Sequence, residues 1–167
     1  MYEKTHAGKR LHNFLDALVS KKAGVSIAGH FSGIDLNGES LIGVDFCRGV
    51  FDKSTFYKCD LSRARLGETS LQNTDFRKTT LLLTNFEGAN CRQAKFNEAR
   101  VTLAKFNNAL LIRTDFGGAL LQGVQFKRAD LTGAVFVNTI LKNCDFSGAD
   151  LTDVFFTTEQ KNSIKKV

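Results

Sequence analysis

Residues 129–151 read ADLTG AVFVN TILKN CDFSG ADL. Leu131, Phe136, Leu141, Phe146 and Leu151 fall five apart, and two residues before each stands something small: Ala129, Ala134, Thr139, Cys144 and Ala149. The same spacing runs outward from this stretch without a slip of register, from Phe31 through Phe46, Phe76, Leu81, Cys91, Phe96, Val101 and Leu121 to Phe156. A period of five matches neither an amphipathic helix, 3.6, nor a flat strand, 2.0. It requires a chain that turns a corner every five residues, and therefore a repeat architecture.

The unit small-x-large-x-x resembles the motif A(D/N)LXX of the pentapeptide repeat family. Ala129-Asp130-Leu131-Thr132-Gly133 and Ala149-Asp150-Leu151 match it letter for letter, and the resemblance covers residues 29–158. It is looser in the first turns, where Ile34, Glu39 and Val44 take the small position. The resemblance implies an all-β fold, a right-handed quadrilateral β-helix with four pentapeptides per coil. Residues twenty apart should then stack. Phe56, Phe76, Phe96, Phe116, Phe136 and Phe156 form one such column, and Phe46, Phe86, Phe106, Phe126 and Phe146 a second, broken by Leu66. Leu41, Leu61, Leu81, Val101, Leu121 and Leu141 form an aliphatic column, and Phe31, Phe51, Leu71, Cys91, Leu111, Leu131 and Leu151 the fourth. Rings then fill the interior across one diameter and smaller chains across the other, which packs densely. At ~4.8 Å per coil the rod is roughly 30 Å long.

Stacked coils leave unpaired backbone only at the two ends, so both ends need caps. Residues 1–28 are read as a short N-terminal helical cap: Leu11, Phe14, Leu15 and Leu18 share a helical stripe, and Gly24 is placed to stop it. Residues 29–158 form the β-helix and 159–167 a C-terminal tail. Thr157 and Gln160 have the spacing of a capping box that would open a turn or two of helix.

The chain of 167 residues carries one repeat array, hence one domain. No stretch approaches the ~20 apolar residues of a membrane span, and the start does not read as a secretory signal. The expected compartment is the cytoplasm, with a signal-independent secretion route left open. The four cysteines fit no metal spacing. Cys91 is a core centre, Cys59 and Cys144 take the small position, and Cys47 alone should point outward. The net charge is +6, but residues 29–158 hold 15 basic and 14 acidic side chains. The excess lies in the ends, read as solvated tails or as segments that meet an anionic surface. No specific nucleic-acid partner is expected.

Catalysis needs converging groups in a concave site, and a filled rod with flat faces offers none. Asp35, Asp45, Asp60, Asp75, Asp115, Asp130, Asp145 and Asp150 stand one before a centre, where an aspartate stabilises turns through its backbone hydrogen bonds. The expectation is a protein that is not an enzyme and needs no cofactor or metal. Residues flanking the centres should face solvent, yet Ile42, Leu82, Leu83, Leu103, Leu120 and Ile140 occupy such places around Leu61 and Leu81, and Leu110 and Ile112 are read as adding to them from an adjoining face. Val135, Val137 and Phe155 are read on the face opposite Leu110 and Ile112. Contiguous exposed apolar area marks interaction surfaces. These eight residues are the candidate face, for an unidentified protein or for self-association as a homodimer. Two further functions follow from the resemblance alone: mimicry of DNA to bind gyrase or topoisomerase, as in fluoroquinolone-resistance members, and a targeting or binding domain of a bacterial effector. The first needs an anionic surface, which this rod lacks.

Overall fold

The computed structural model describes residues 27–165. Parallel bridges pair each residue before a centre with the residue twenty further on, as in Asp75 with Lys95 and Lys95 with Asp115. Twenty residues thus make one coil, and the chain is a right-handed four-sided β-helix. We number its sides by their first centres: Phe31, Leu36, Leu41 and Phe46 for the first to the fourth.

The repeat around Phe116 shows how five residues satisfy five N–H groups. Phe116 and Gly118 donate forward to Val135 O and Val137 O, both at 2.9 Å, and Asp115 donates back to Ala94 O at 3.0 Å. Ala119 closes the corner turn onto Phe116 O at 2.9 Å. The fifth N–H, of Gly117, is taken by Asp115 Oδ1 at 2.8 Å. All eight aspartates named above accept from the N–H two residues on. Their recurrence serves the corner, as their place one before a centre implies. Small residues two before each centre let the wall close over the core. Six of the seven hydroxyl residues there donate inward to a carbonyl 23 residues earlier, as Thr74 does to Phe51 O at 3.0 Å and Thr114 to Cys91 O at 2.9 Å, while Thr79 donates to Phe76 O of its own turn. No buried side-chain N or O among the described residues lacks a partner.

The core is the set of centres. Along the second side Phe76 and Phe96 stack at 4.8 Å, and along the fourth Phe86 and Phe106 at 4.5 Å. Across the interior the two columns meet edge to face, Phe96 against Phe106 at 5.7 Å and 87°. Both arrangements suit the ring quadrupole.

Every corner position, two after a centre from 33 to 153, has positive φ. Eight are glycines, as expected for that conformation, but seventeen are not. Those seventeen include no Val, Ile or Thr, because a branched Cβ clashes most in this region.

Extended structure is longest on the third side. Thr80–Leu82 (β1), Arg100–Thr102 (β2), Leu120–Gln122 (β3) and Ile140–Lys142 (β4) form a four-stranded parallel sheet in that order. Cys144–Asp145 (β5) pairs in parallel with Ile164–Lys165 (β6). Between them Thr158–Ser163 (α1) closes the end of the rod. The capping box expected from Thr157 and Gln160 is present. The helical cap read into residues 1–28 lies outside the described residues, apart from Ile27 and Ala28.

Candidate interaction surface

The centre of each third-side strand points inward, so the residues before and after it face out. Coil by coil, the outward residues are Thr80 and Leu82, Arg100 and Thr102, Leu120 and Gln122, Ile140 and Lys142. The corner that follows adds Leu83 and Leu103. Leu82 is 38% exposed, Leu83 47% and Leu103 52%. Leu83 and Leu103 are successive in their column, and Leu103 Cδ2 reaches over the next corner, Gly123, where a Cβ would sit 2.7 Å from it. Only a glycine leaves that space. These three leucines make one continuous patch.

The other predicted residues divide. Leu120 and Ile140 are ladder partners at the far edge of the same side. Ile140 is exposed, but Leu120, set between Arg100 and Ile140 in the ladder, is half-buried. Ile42 is exposed on the same side, two coils from Leu82 with Ser62 between. Leu110 and Ile112 do not adjoin the patch. Their centre, Leu111, lies ten residues from Leu121, which is half a coil. They therefore lie on the first side, opposite the patch, and both are half-buried. Val135, Val137 and Phe155 lie on the second side, which adjoins both, and not on a face opposite Leu110. Phe155 is 86% exposed.

Charges around the rod pair along the stacking direction. Arg48 meets Glu68 at 3.0 Å and Lys78 meets Glu98 at 3.5 Å, each pair at corner positions one coil apart. Arg65 meets Asp45 at 3.1 Å and Lys127 meets Asp145 at 3.4 Å. The first two pairs are exposed on both partners, and in the last two the base is exposed while the carboxylate is mostly covered; with an exposed base in each, none contributes much to stability. The third-side charges Asp60, Arg63, Arg100 and Lys142 stand outside this pattern. Asp60 spends Oδ1 on the N–H and hydroxyl of Ser62, at 2.9 and 2.6 Å. Neither its Oδ2 nor the exposed Arg100 guanidinium has an ion pair among the described residues.

A shallow depression on the fourth side is lined by Asp45, Cys47, Arg65, Gly67 and Glu87. Burial and the nearby Asp45 push the Cys47 thiol above its ordinary value, which opposes thiolate formation. Cys59, Cys91 and Cys144 are buried, as their places in the repeat imply. Burial raises all three, Cys59 to about 11. Among the described residues, no group of three or more His, Cys, Asp or Glu side chains is placed to hold a metal ion. No described helix is long and apolar enough to cross a membrane.

Sequence reasoning placed Gln160 in the capping box but missed its second role. Gln160 is buried; its Nε2 donates to Phe136 O at 2.8 Å and Thr139 O at 2.9 Å, while Oε1 accepts from Thr157 N at 2.9 Å. The signal was available, since residue 160 stands twenty beyond Ile140, where the next coil would supply an N–H to Thr139 O.

A stack of four-sided coils with flat faces defines a β-solenoid. The chain belongs to the pentapeptide repeat family: the model described as pentapeptide repeats matches in eight copies, over residues 30–67, 59–97, 84–123, 102–136 and 119–157. Among solved structures, the pentapeptide repeat protein Rfr23 from the cyanobacterium Cyanothece 51142 is 17% identical with a TM-score of 0.51, covering 86% of this chain and 92% of its own. A pentapeptide repeat protein of the Arabidopsis thaliana thylakoid lumen is 27% identical with a TM-score of 0.45, covering 84% of this chain and 77% of its own. QnrB1, a plasmid-mediated fluoroquinolone resistance protein, is 18% identical with a TM-score of 0.44, covering 76% of this chain and 86% of its own. No curated protein matches the sequence.

Proposed function

We propose that this protein is a non-catalytic interaction module that docks a protein through the third side of its rod. The observation that carries this reading is the pair Leu83 and Leu103. Both have positive φ, 56° and 54°, a backbone conformation that costs an L-residue on the order of 1 kcal/mol or more. Each leaves about half of its surface exposed, 47% and 52%, so the isolated rod returns only part of the burial that a leucine offers for that cost. Every other corner position carries glycine or a polar or charged side chain. Folding alone gives no reason for leucine at these two, whereas a partner that covers them does. The unpaired thiols suit a reducing compartment such as the cytoplasm. Mimicry of DNA finds no support in a rod holding 15 basic and 14 acidic side chains over residues 29–158.

The test compares wild type with Leu83→Glu/Leu103→Glu. Surface changes away from the core leave the fold in place, so the β-sheet circular dichroism and melting curve should be retained. Burying unpaired carboxylates at a contact should abolish binding. Pull-down from native extract and sedimentation of the purified protein report the outcome. Full retention of every association by the folded double variant would refute the reading.

A further inference from the structure

The third side carries few ionised groups beside its centres and at its corners: Asp60 is the one acid there, with Arg63, Arg100 and Lys142 as the bases, while a second acid, Glu39, is exposed at the small position of its first coil. Asp60 and Arg100 stand in the same column, one coil to either side of Thr80. Two coils separate them along the rod, about 9.6 Å at ~4.8 Å per coil, so they do not pair within one chain. We infer that the occupant of the third side is a second copy of this chain, packed face to face and antiparallel about a two-fold axis running along β1. This rests on the reading of the third side as a docking face.

The register follows from symmetry. An axis along β1 keeps each column in place and exchanges the coils above and below it. Asp60 of each copy then falls opposite Arg100 of the other, so one contact makes two ion pairs. Leu82 meets Leu82 and Leu83 meets Leu83 on the axis, at the centre of the contact. Leu103 lies against the aliphatic stem of Arg63 from the other copy. Neighbouring registers fail. Moving the axis one coil toward the C-terminus sets Arg100 on Arg100, and one coil the other way sets Asp60 on Asp60, like charges in both cases. A parallel arrangement places Asp60 opposite Ser62 and Arg100 opposite Thr102, with no charge paired. An isologous contact needs a self-complementary patch, and one register supplies it. The flat sheet β1–β4 lets two faces approach closely. In this register five coils overlap, a strip about 24 Å long at ~4.8 Å each, which is smaller than a standard stable interface, so the association should be weak.

Sedimentation velocity of the full chain, from low to several hundred micromolar, tests this. Wild type should pass from monomer to dimer, with a dissociation constant that rises with salt. Arg100→Asp and Asp60→Arg should each weaken the dimer tenfold or more. Their combination, which restores opposite charges across the axis, should recover affinity to within about threefold of wild type. Leu82→Lys, which sets two ammonium groups together on the axis, should leave only monomer. Melting curves of each variant separate lost contact from lost fold, and Leu82→Lys alters no group used in a corner hydrogen bond. A wild type that stays monomeric throughout, or a combined variant no tighter than the single ones, overturns the inference. If the wild type is monomeric but Leu83→Glu/Leu103→Glu still loses a protein in the pull-down, the docking face stands and the second copy is rejected. If neither changes, both fall.

Discussion

At each corner a side chain must tolerate positive φ, and the residue types found there follow from that demand. Asn108, at φ 57°, is a fair test because asparagine visits this region more readily than most residues. Asn108→Gly should leave the melting temperature nearly unchanged. Asn108→Val, with its branched Cβ, should lower stability by about 1–3 kcal/mol in a denaturant titration. The aspartates give the same corners a pH dependence. Burial opposes ionisation of Asp75, but the bidentate Arg77 guanidinium, at 2.6–3.0 Å, outweighs it and holds the carboxyl below its ordinary value. Hydrogen bonds from the Ser147 hydroxyl and backbone do the same for Asp145, and those from Thr152 for Asp150. A carboxyl whose folded pKa is depressed stabilises the fold above its unfolded value, about 3.9 for aspartate, and that contribution disappears as pH falls through the folded value. The melting temperature should therefore be level from pH 5 to 7 and decline below about pH 4. Asp145→Asn keeps an acceptor for the Ser147 N–H and removes one titrating group, so its acid decline should be shallower; an unchanged slope would exclude this residue from the linkage.

The elements show which signals a sequence carries openly. The corner aspartates and the inward centres were legible because each is stated many times at one spacing. The helix α1 was legible in outline from Thr157 and Gln160, whose capping box is a local pattern. Its second task was not, since the carbonyls of Phe136 and Thr139 come near Gln160 only once the coil has closed. Gln160 stands in for the missing next coil: one amide supplies both donors that a further turn of chain would have provided. Gln160→Leu keeps the bulk and removes the donors. It should lower stability by about 1–3 kcal/mol, the usual cost of unsatisfied buried polar groups, with amide exchange accelerated first in β4 and later if at all in β1. Uniform acceleration across β1–β4 would show that the end of the rod does not open independently. The candidate face was legible in part for a related reason. Stacking at twenty residues brought Leu83 to Leu103, but the assignment of Leu110 and Ile112 required counting sides around the coil, and half a coil separates them from the patch.

At the scale of the molecule, the fold could be read from one sequence because the same decision is made again at every coil. Each coil contacts only its neighbours, so the rod behaves as a one-dimensional array. The alternation of ring and aliphatic columns around that array sets how far the chain can slip. Advancing the register by five residues lays rings on aliphatic chains, but advancing it by ten lays ring on ring again. The interior therefore distinguishes quarter-turn errors well and half-turn errors poorly. Shortened chains put this to measurement: removing residues 90–109, a full turn, or 90–99, a half turn, should leave cooperative melting, while removing 95–99 should broaden it and lower its midpoint most. If all three melt alike, the interior is indifferent to its own pattern. Where the interior is blind to a half turn, the task of rejecting the error falls to the rod's outside. A half-turn slip would move β1–β4 apart onto opposite walls and divide the leucine patch between them. A chain folded in that way would remain stable and fail to recognise its partner, so that assembly would act as the proofreading step for folding.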